Sequence, residues 1–299
     1  MAVAALPPRE VLRAMEVGGY HVGTAVLTRF RLDGGSMFGS VPKTLWERHH
    51  PADAKNRIAL VARVLLLRGH GRVVMVDAGV GDKFAPREQE MFAVELSAAG
   101  DRAVPWRDLT DIVLTHLHFD HAGGATVWAP ASPDAAQPRT SCLRATSARI
   151  HLQRANWERA RAPGPRERAS YLPENVLPLE SGELRLADGP AEILPEVFAW
   201  PSHGHTVGMQ WIQVGSGKGS IAFPADLVPT LAHLHLPFVM GYDMCVETLL
   251  KEKQELLEKA AAEEWRLVLS HDPGTPAISV ARDGSGRFCQ KERIEIEEA

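Results

Sequence analysis

The chain has 299 residues, with 33 Lys or Arg against 37 Asp or Glu, so its formal net charge is −4. A hydrophobic fraction of 45% supplies a large core and excludes disorder, and the lack of basic blocks disfavours nucleic acid or an anionic membrane as partner. No run of about 18 uncharged apolar residues occurs, so we expect no membrane span. Residues 1–8 do not resemble a secretion signal. Three widely spaced cysteines predict reduced thiols and a cytoplasmic protein.

The N-terminal third alternates between turn-rich segments and strand-like runs. Residues 1–57 predict irregular structure, because Gly, Asp and Pro interrupt their short apolar stretches. Runs rich in β-branched residues at 58–67 and 72–76 predict a hairpin, with Gly69-His70-Gly71 at its turn. Further strands are predicted at 111–114, 192–199, 209–214, 220–223 and 266–269.

Two helices are predicted later in the chain. Between residues 247 and 265, Leu, Ala and Trp recur at steps of three and four, which is typical of an amphipathic helix that covers a sheet. A second helix is predicted at 147–161, and the Ala- and Pro-rich residues 129–138 predict a surface loop. Short strands alternating with helices indicate a layered α/β fold with a site along one edge of its sheets.

The segment from Thr115 to Gly124 carries the clearest chemical signal. His116 and His118 follow a predicted strand two residues apart, so in an extended backbone their side chains leave the same face. A tight turn then brings Asp120 and His121 beside them. Imidazole and carboxylate groups concentrated in six residues are typical of a metal site.

Three later positions can complete such a site, because each follows a predicted strand. They are His205 in a glycine-flanked turn, Asp226 after 220–225, and His271 after 266–270. His203, two residues before His205, is an alternative to it at this stage.

The ordered set H-x-H-x-D-H, His, Asp, His resembles the signature of the metallo-β-lactamase superfamily, and the resemblance covers about residues 77–272. It implies a four-layer αββα sandwich with two metals at one edge. The residues that it assigns to one zinc are His116, His118 and His205, and those of the other are Asp120, His121 and His271. Asp226 would bridge both metals, and His205 is selected over His203 because T-x-G follows it. Asp77 matches the family's buried aspartate that orients a ligating histidine.

The resemblance implies a dinuclear-zinc hydrolase whose nucleophile is a hydroxide shared by the two metals, since coordination lowers the pKa of water to about 7. Asp120 and Asp226 would be the catalytic carboxylates, with Asp120 orienting the hydroxide. The ligand types also suit manganese, iron or cobalt. Superfamily members with redox di-iron centres usually carry Glu at the position of His118, which favours zinc here. A redox di-iron protein stays an alternative.

The nearest subfamilies suggest the substrate. Residues 117–124 and His271-Asp272 are similar to acyl-homoserine lactonases, which predicts hydrolysis of lactones or related carboxylic esters. Many of those lactonases carry a tyrosine three residues after the bridging aspartate, where this chain has Pro229. Tyr242 is the candidate to replace it from a loop.

Methyl parathion hydrolase-like enzymes share the seven ligands and lack that tyrosine, so a phosphotriesterase is an alternative, and β-lactam hydrolysis is a further one. An apolar pocket would make the enzyme promiscuous. The pocket candidates are Met37, Phe38, Trp46, Leu231, Phe238, Met240 and Tyr242, although aromatic residues and Met at such places more often belong to a core. We expect a single domain over residues 1–299, with residues 1–57 as an extension and loop over the site. The partners expected are a small-molecule substrate and, as one alternative, a second copy in a homodimer. The roles of His233 and His235 stay open.

Overall fold

The computed structural model describes residues 15–130 and 139–297; the interpretation of residues 1–8 and most of the predicted loop 129–138 fall outside them. The strands in the described part are β1 (Met15–Val17), β2 (Tyr20–Asp33), β3 (Arg57–Gly69), β4 (Arg72–Val76), β5 (Glu95–Leu96), β6 (Asp111–Val113), β7 (Thr126–Trp128), β8 (Ser141–Leu143), β9 (Arg149–Gln153), β10 (Glu183–Ala187), β11 (Ala191–Leu194), β12 (Val197–Ser202), β13 (Met209–Val214), β14 (Ile221–Phe223), β15 (Arg266–Val268), β16 (Ala277–Arg282) and β17 (Phe288–Ile294).

The helices are mostly short. The α-helices are α1 (Gly34–Phe38), α2 (Lys43–Trp46), α3 (Pro86–Met91), α4 (Ala98–Ala103), α5 (Phe119–Ala122), α6 (Arg154–Arg161), α7 (Pro173–Val176) and α8 (Val246–Ala262). Turns of 3₁₀ helix lie at Gly123–Ala125, Leu177–Ser181, Ala225–Leu227 and Leu231–Leu234. Among the helices of the described residues, only α8 has the length of an ordinary globular helix.

Two large sheets pack face to face. The first has the strand order β1-β2-β3-β4-β6-β9-β10, with β5 paired to β2, and its strands from β4 to β10 are parallel. The second has the order β11-β12-β13-β14-β15-β16-β17 and is antiparallel except between β14 and β15. Because β4, β6 and β9 run parallel, the loops that follow these strands leave from the same end of the sheet.

Successive side chains of a strand point to opposite faces of the sheet, so one strand contributes side chains to two apolar cores. Leu65 and Leu67 of β3 belong to the apolar cluster between the sheets, whereas Val64 and Leu66 belong to the cluster under α6. Helix α8 packs its buried leucines against the outer face of the second sheet. The layers are therefore helix, sheet, sheet and helix, which confirms the predicted four-layer αββα sandwich.

The N-terminal segment departs from its sequence prediction. Residues 20–33 form β2, the longest strand described, which pairs with β3 along its whole length, so the prediction of irregular structure is wrong there. Gly23 and charged side chains interrupt the pattern that would predict a strand in residues 20–33. Hydrogen bonds to β3 stabilise the extended conformation instead. A third cluster contains Met37, Phe38 and Trp46, and connects the following loop to the sandwich.

Two other predictions need correction. Residues 149–153 of the predicted helix 147–161 are strand β9, between β6 and β10, and the helix begins at Arg154. The predicted strand 192–199 is two strands, because the chain turns at Glu196 with φ of 57°. The hairpin turn is confirmed, with His70 and Gly71 at φ of 51° and 68°.

The remaining global expectations concern cysteines and membranes. Cys142, Cys245 and Cys289 are free thiols, as their spacing predicts. Within residues 15–130 and 139–297, none of the helices has the length and apolar character needed to cross a bilayer.

Candidate metal centre

Seven side chains from four segments meet at one edge of the two sheets, each shortly after a strand. They are His116 and His118 after β6, Asp120 and His121 in α5, His205 after β12, Asp226 after β14, and His271 after β15. All seven residues are buried, with 0 to 8% of their surface exposed. The structure therefore brings together every residue that the sequence nominates as a metal ligand; we call this set the seven-residue cluster.

The Asp226 carboxylate divides the cluster into two halves. Its Oδ2 lies 3.1 Å from Nε2 of His205 and 4.0 Å from Nε2 of His116. Its Oδ1 lies 3.2 Å from Nε2 of His121 and 3.0 Å from Nε2 of His271. One carboxylate oxygen thus faces each half, which is the geometry of a bridging ligand.

Donor atoms within each half converge closely enough for a common ion. The donor atoms of His116, His118 and His205 lie within 4.8 Å of one another, as do those of Asp120, His121 and His271. His116, His121 and Asp226 form a third such group that joins the two halves. Overlapping groups of this kind suit two neighbouring cations.

Hydrogen bonds on the outer side of three imidazoles fix their tautomers. The Nδ1–H group of His121 donates to Oδ2 of Asp77 at 2.7 Å, and that of His271 donates to the Val61 carbonyl at 2.8 Å. The Nδ1–H group of His205 donates to Oδ1 of Asp243 at 2.9 Å. Each of these rings therefore turns its Nε2 toward the cluster, which is the nitrogen that would bind a metal.

Ring nitrogens of neighbouring imidazoles lie close together inside the cluster. Nε2 of His121 and Nε2 of His271 are 3.0 Å apart, and Nε2 of His205 lies 3.2 Å from Nδ1 of His118. Among the described residues, Nε2 of His116 and Oδ1 of Asp226 have no hydrogen-bond partner although both are buried. Lone pairs converging in a buried site are costly unless a cation lies among them. The residues fit a divalent metal centre.

Burial and local charge prepare the cluster for cations. Burial, together with the neighbouring imidazoles, lowers the pKa of His116 and of His118 well below the usual histidine value, so both are neutral. Burial would raise the pKa of Asp226, but the surrounding rings of His121, His205 and His271 outweigh it and hold that pKa well below its usual range. His116, His118 and Asp226 can therefore bind a metal without first releasing a proton.

Asp77 supports the cluster from behind, as the resemblance implies. It adopts a left-handed backbone conformation with φ of 60° directly after β4. Its Oδ1 accepts the backbone N–H of Thr115 at 2.8 Å, and the Thr115 hydroxyl also donates to the carboxylate. Asp77 therefore anchors both His121 and the residue before His116. Sequence reasoning missed Thr115, whose role follows from its place at the end of β6.

Asp243 is a second residue that sequence reasoning missed. Its Oδ1 accepts the Nδ1–H group of His205, and its Oδ2 accepts the Met240 backbone N–H at 2.7 Å. Asp243 lies 38 residues after His205 in a loop with no motif of its own. The only sequence signal is its position in Gly241-Tyr242-Asp243, next to a candidate pocket residue.

Asn156 connects the loops that carry two histidines. Its Oδ1 accepts the Leu117 backbone N–H at 2.9 Å, and its Nδ2 donates to the Val207 carbonyl at 3.0 Å. The Tyr171 hydroxyl, 3.2 Å from Asn156 Nδ2, completes this buried set, and the Tyr171 ring packs against His118 with centroids 4.7 Å apart. These contacts fix the spacing of the His118 and His205 loops.

Comparison with known proteins assigns the family. Residues 58–271 match the description of the metallo-beta-lactamase superfamily, which is well over half of the chain. The chain belongs to the metallo-beta-lactamase superfamily. An N-acyl homoserine lactonase of Bacillus cereus is 28% identical over 168 residues, or 55% of this chain and 56% of the relative. The alignment thus spans little more than half of the length of that curated relative.

Two solved structures show the same fold. A probable metal-dependent hydrolase from Staphylococcus aureus superposes with a TM-score of 0.80 at 24% identity, covering 94% of this chain and all of that one. AidC, described as a dizinc quorum-quenching lactonase in complex with a product, superposes with a TM-score of 0.70 at 16% identity, covering 95% and 98%. At these identities the likeness concerns architecture.

His203 and the nominated pocket residues lie outside the seven-residue cluster. His203 accepts the Gly208 backbone N–H on Nδ1 at 3.2 Å and is exposed. Met37, Phe38, Trp46 and Met240 are at most 3% exposed and belong to one apolar core cluster, against which Phe238 packs. Leu231 is partly buried beside the inter-sheet core. Their contact with substrate stays a prediction.

The loop after β2 does pack against the segment that follows Asp226. The Gly241 backbone N–H donates to the Ser36 carbonyl at 2.7 Å. His233 is buried, donates from Nε2 to the Met37 carbonyl at 3.0 Å, and stacks on Phe38 with centroids 4.9 Å apart. His233 therefore holds the loop in place, whereas His235 is partly exposed beside Phe238.

Proposed function

We propose that this protein is a hydrolase that holds two divalent cations in the seven-residue cluster and cleaves lactones or related carboxylic esters. The observation that supports it most directly is the division of the Asp226 carboxylate, with one oxygen facing each group of three ligands. The superfamily and the partial match to N-acyl homoserine lactonases point to the same chemistry. We propose zinc, because imidazole and carboxylate donors suit it.

One half of the cluster would hold the first cation through three imidazoles, and the other half would hold the second through Asp120, His121 and His271. Bound divalent cations polarise a carbonyl or phosphoryl oxygen and lower the pKa of water to about 7. With that chemistry supplied, the chain itself needs no serine or cysteine nucleophile.

The roles left to the chain are orientation and proton handling. Asp120 has its Oδ2 3.6 Å from Nε2 of His271, and is among the more exposed members of the cluster at 8%. We propose that it accepts the proton of the attacking water and later returns it to the leaving oxygen. Asp77 and Asp243 keep two ligating rings in a single tautomer, so that the site needs little reorganisation during the reaction.

A phosphotriester is the second candidate substrate, because this chain lacks the tyrosine that many lactonases carry three residues after the bridging aspartate. That position is Pro229, whose carbonyl accepts the His271 backbone N–H at 3.0 Å and which offers no hydroxyl donor. Tyr242 is the exposed alternative, 38% accessible in the neighbouring loop. A phosphotriester with a good leaving group needs no such donor.

Metal analysis combined with a substrate panel tests this function. The purified protein and its His205→Ala and Asp226→Ala variants are analysed for metal content and assayed with homoserine lactones, aryl esters, paraoxon and a cephalosporin. We expect about two metal equivalents in the wild type, loss of at least one in each variant, and undetectable turnover in both variants.

His203→Ala is the matched control, two residues from His205 and outside the cluster. It should keep both metal equivalents and the wild-type rate. Metal retention and full turnover in Asp226→Ala would contradict the proposal. Iron with a visible absorption band and no hydrolysis of any substrate would instead support a redox di-iron protein.

A further inference from the structure

A cavity of about 490 Å³ is lined by both cationic and apolar side chains. Its lining includes apolar Leu32, Met91, Phe92 and Tyr242, together with Arg31, Lys55, Arg57 and Arg87 and the acidic Asp33 and Glu90. Four cationic groups against two acidic ones make a locally positive site on a chain whose net charge is −4. We call it the rim cavity.

The rim cavity is connected to the seven-residue cluster through aromatic contacts. Phe119 lies between His118 and Asp120, and its ring stacks on Phe92, a wall residue of the cavity, with centroids 5.6 Å apart. Tyr242, another wall residue, precedes Asp243, which orients His205. These contacts connect one wall of the rim cavity to the segment that carries His118 and Asp120.

The electrostatics of Tyr242 agree with this position. Burial raises the pKa of Tyr242 and a hydrogen bond from Ser36 opposes it, while the carboxylates of Asp33 and Asp120 raise it further. The Tyr242 hydroxyl is thus within electrostatic range of the cavity wall and of the cluster. It also remains 38% exposed, so a ligand can reach it.

Several of the charged side chains that line the rim cavity already form ion pairs or hydrogen bonds within the protein. Arg57 is paired with Asp53 at 2.9 Å and donates to the Glu90 and Met91 carbonyls, which fixes the end of α3. Lys55 lies 3.7 Å from Glu90. Asp33 accepts the Ser36 backbone N–H and the Asn56 amide, so its charge is used to shape the loop.

Arg31 and Arg87 are different. Arg31 is partly exposed and Arg87 is exposed, and within the described parts of the chain neither guanidinium takes part in a hydrogen bond or ion pair. Both face the same cavity as Met91, which is 48% exposed, and Tyr242. Free guanidinium groups beside exposed apolar surface match a ligand with an apolar body and an anionic end.

We propose that the rim cavity binds a part of the substrate remote from the scissile bond, an apolar chain that ends in a carboxylate, phosphate or sulfate group. The apolar chain lies against Phe92, Met91 and Tyr242, and the anion is bound by Arg31 and Arg87. This inference rests on the proposed hydrolase function and narrows its substrate to an anionic ester or lactone. It also gives the N-terminal half of the chain a role in specificity.

Isothermal titration calorimetry with the metal-loaded full chain tests the anion site directly. The probes are octane-1-sulfonate, whose headgroup is a poor metal ligand, and the neutral 1-octanol. We expect the sulfonate to bind at least tenfold more tightly, and its affinity to fall as salt is raised from 50 to 500 mM because the exposed arginines are screened.

Substitution of the arginines identifies the binding residues. Arg31→Gln and Arg87→Gln should each weaken sulfonate binding about fivefold, the size of a solvent-exposed ion pair, and the double variant should bind both probes equally. Arg68→Gln is the matched control, since Arg68 is an exposed arginine at the far end of β3. Equal binding of the two probes by the wild type, or unchanged sulfonate binding by the double variant, overturns the anion site.

Kinetics connect the site to the substrate. Two γ-lactones are compared, one with an octyl side chain and one with the same chain ending in a carboxylate. The carboxylate should lower KM about tenfold with little change in kcat, and the double variant should lose this difference while hydrolysing the octyl lactone normally. Equal KM values in the wild type refute the substrate inference. If neither lactone nor any other ester is hydrolysed, the proposed function fails, while the calorimetry still decides whether the cavity binds anions.

Discussion

The Asp243 carboxylate accepts the Nδ1–H group of His205 at 2.9 Å and the Met240 backbone N–H at 2.7 Å, so one side chain fixes both a nominated ligand and the loop that carries Tyr242. Asp243 is 3% exposed, and nothing in the local sequence marks it as important. It orients the imidazole and increases its basicity, which are the usual effects of a carboxylate behind a metal-binding histidine.

Asp243→Asn should therefore weaken metal binding without unfolding the protein. The amide keeps the size of the side chain but cannot stabilise the donating tautomer of His205 as a carboxylate does, and changes of this kind cost about 10- to 100-fold in metal affinity. Competition with a chromophoric chelator measures the affinity, and circular dichroism checks the fold. Asp108→Asn, at an exposed aspartate, is the control and should bind as the wild type does. Equal affinities for Asp243→Asn and Asp108→Asn would contradict the assigned role.

The two glycines that follow His121 have a packing role that the motif does not reveal. A Cβ on Gly124 would lie 2.1 Å from the Ala78 carbonyl oxygen, and one on Gly123 would lie 1.9 Å from that of Val80. Both obstacles are backbone atoms in the segment after Asp77, which itself anchors His121. Only glycine allows this close approach.

Gly124→Ala should lower the free energy of unfolding by about 1 to 3 kcal/mol, the usual cost of forcing extra volume into a packed site. Urea denaturation with the metal site saturated measures the change. Gly284→Ala supplies the comparison, because a Cβ there meets nothing within 4 Å and its φ is not positive. That variant should match the wild type within about 0.5 kcal/mol. A Gly124→Ala protein as stable as Gly284→Ala would show that the segment can shift.

The members of the seven-residue cluster can be nominated from the sequence because each of them carries its own local signal. His116 to His121 form a dense motif, and His205, Asp226 and His271 each end a recognisable strand. Asp243 and Thr115 have no such signal, since their roles depend on which loops the fold brings together. The order of the strands in the two sheets likewise depends on pairing between distant segments, such as β14 with β15.

Strand β2 illustrates the same limit in the fold. Its residues 20–33 contain Gly23 and arginines that weaken the local pattern, yet they pair with β3 from Tyr20 opposite Gly69 to Asp33 opposite Arg57. The buried pocket candidates show the reverse case. Met37 and Trp46 have the composition of a binding loop, and only the packing around them places them in a core cluster.

His233 predicts a specific loss of stability in acid. Burial, together with the nearby Lys253 charge, lowers its pKa to about 3, below the usual histidine value of 6.5. Above pH 6.5 the ring is neutral in the folded and unfolded states and its stabilising contacts are complete. As the pH falls from 6.5 toward 3, the unfolded chain takes up a proton that the folded chain does not, so stability falls by up to about 1.4 kcal/mol per pH unit.

Comparison of the wild type with His233→Gln isolates this effect. Glutamine can still donate to the Met37 carbonyl but does not titrate. The difference in the free energy of unfolding, measured with urea in chelator, should favour the wild type at pH 7.5 and shrink by about 1 to 2 kcal/mol at pH 5. A difference that is the same at both pH values would rule out a neutral, buried His233. Chelator keeps metal loss from contributing at either pH.

Removal of the metal should destabilise the protein through the same contacts that make the site fit a cation. Without ions, Nε2 of His121 faces Nε2 of His271 at 3.0 Å and Oδ1 of Asp226 at 3.2 Å. Burial opposes a charged His121 ring, but the Asp226, Asp77 and Asp120 carboxylates raise its pKa well above the usual value, so the metal-free site takes up a proton in place of the cation. A single proton compensates only part of the charge that two divalent cations supply.

The expected size of the effect follows from binding linkage. A ligand present at 100 times its Kd stabilises the folded state by about 2.7 kcal/mol, which corresponds to roughly 4 °C in Tm for a chain of 299 residues. Calorimetric scans with and without chelator measure the shift, and added zinc should restore it. Asp226→Ala is the internal control, because a site without its bridging carboxylate should show little response to chelator. A wild-type Tm that stays constant while metal analysis records complete removal would mean that the cations contribute nothing to the fold, and that the close nitrogen contacts are tolerated by protonation alone.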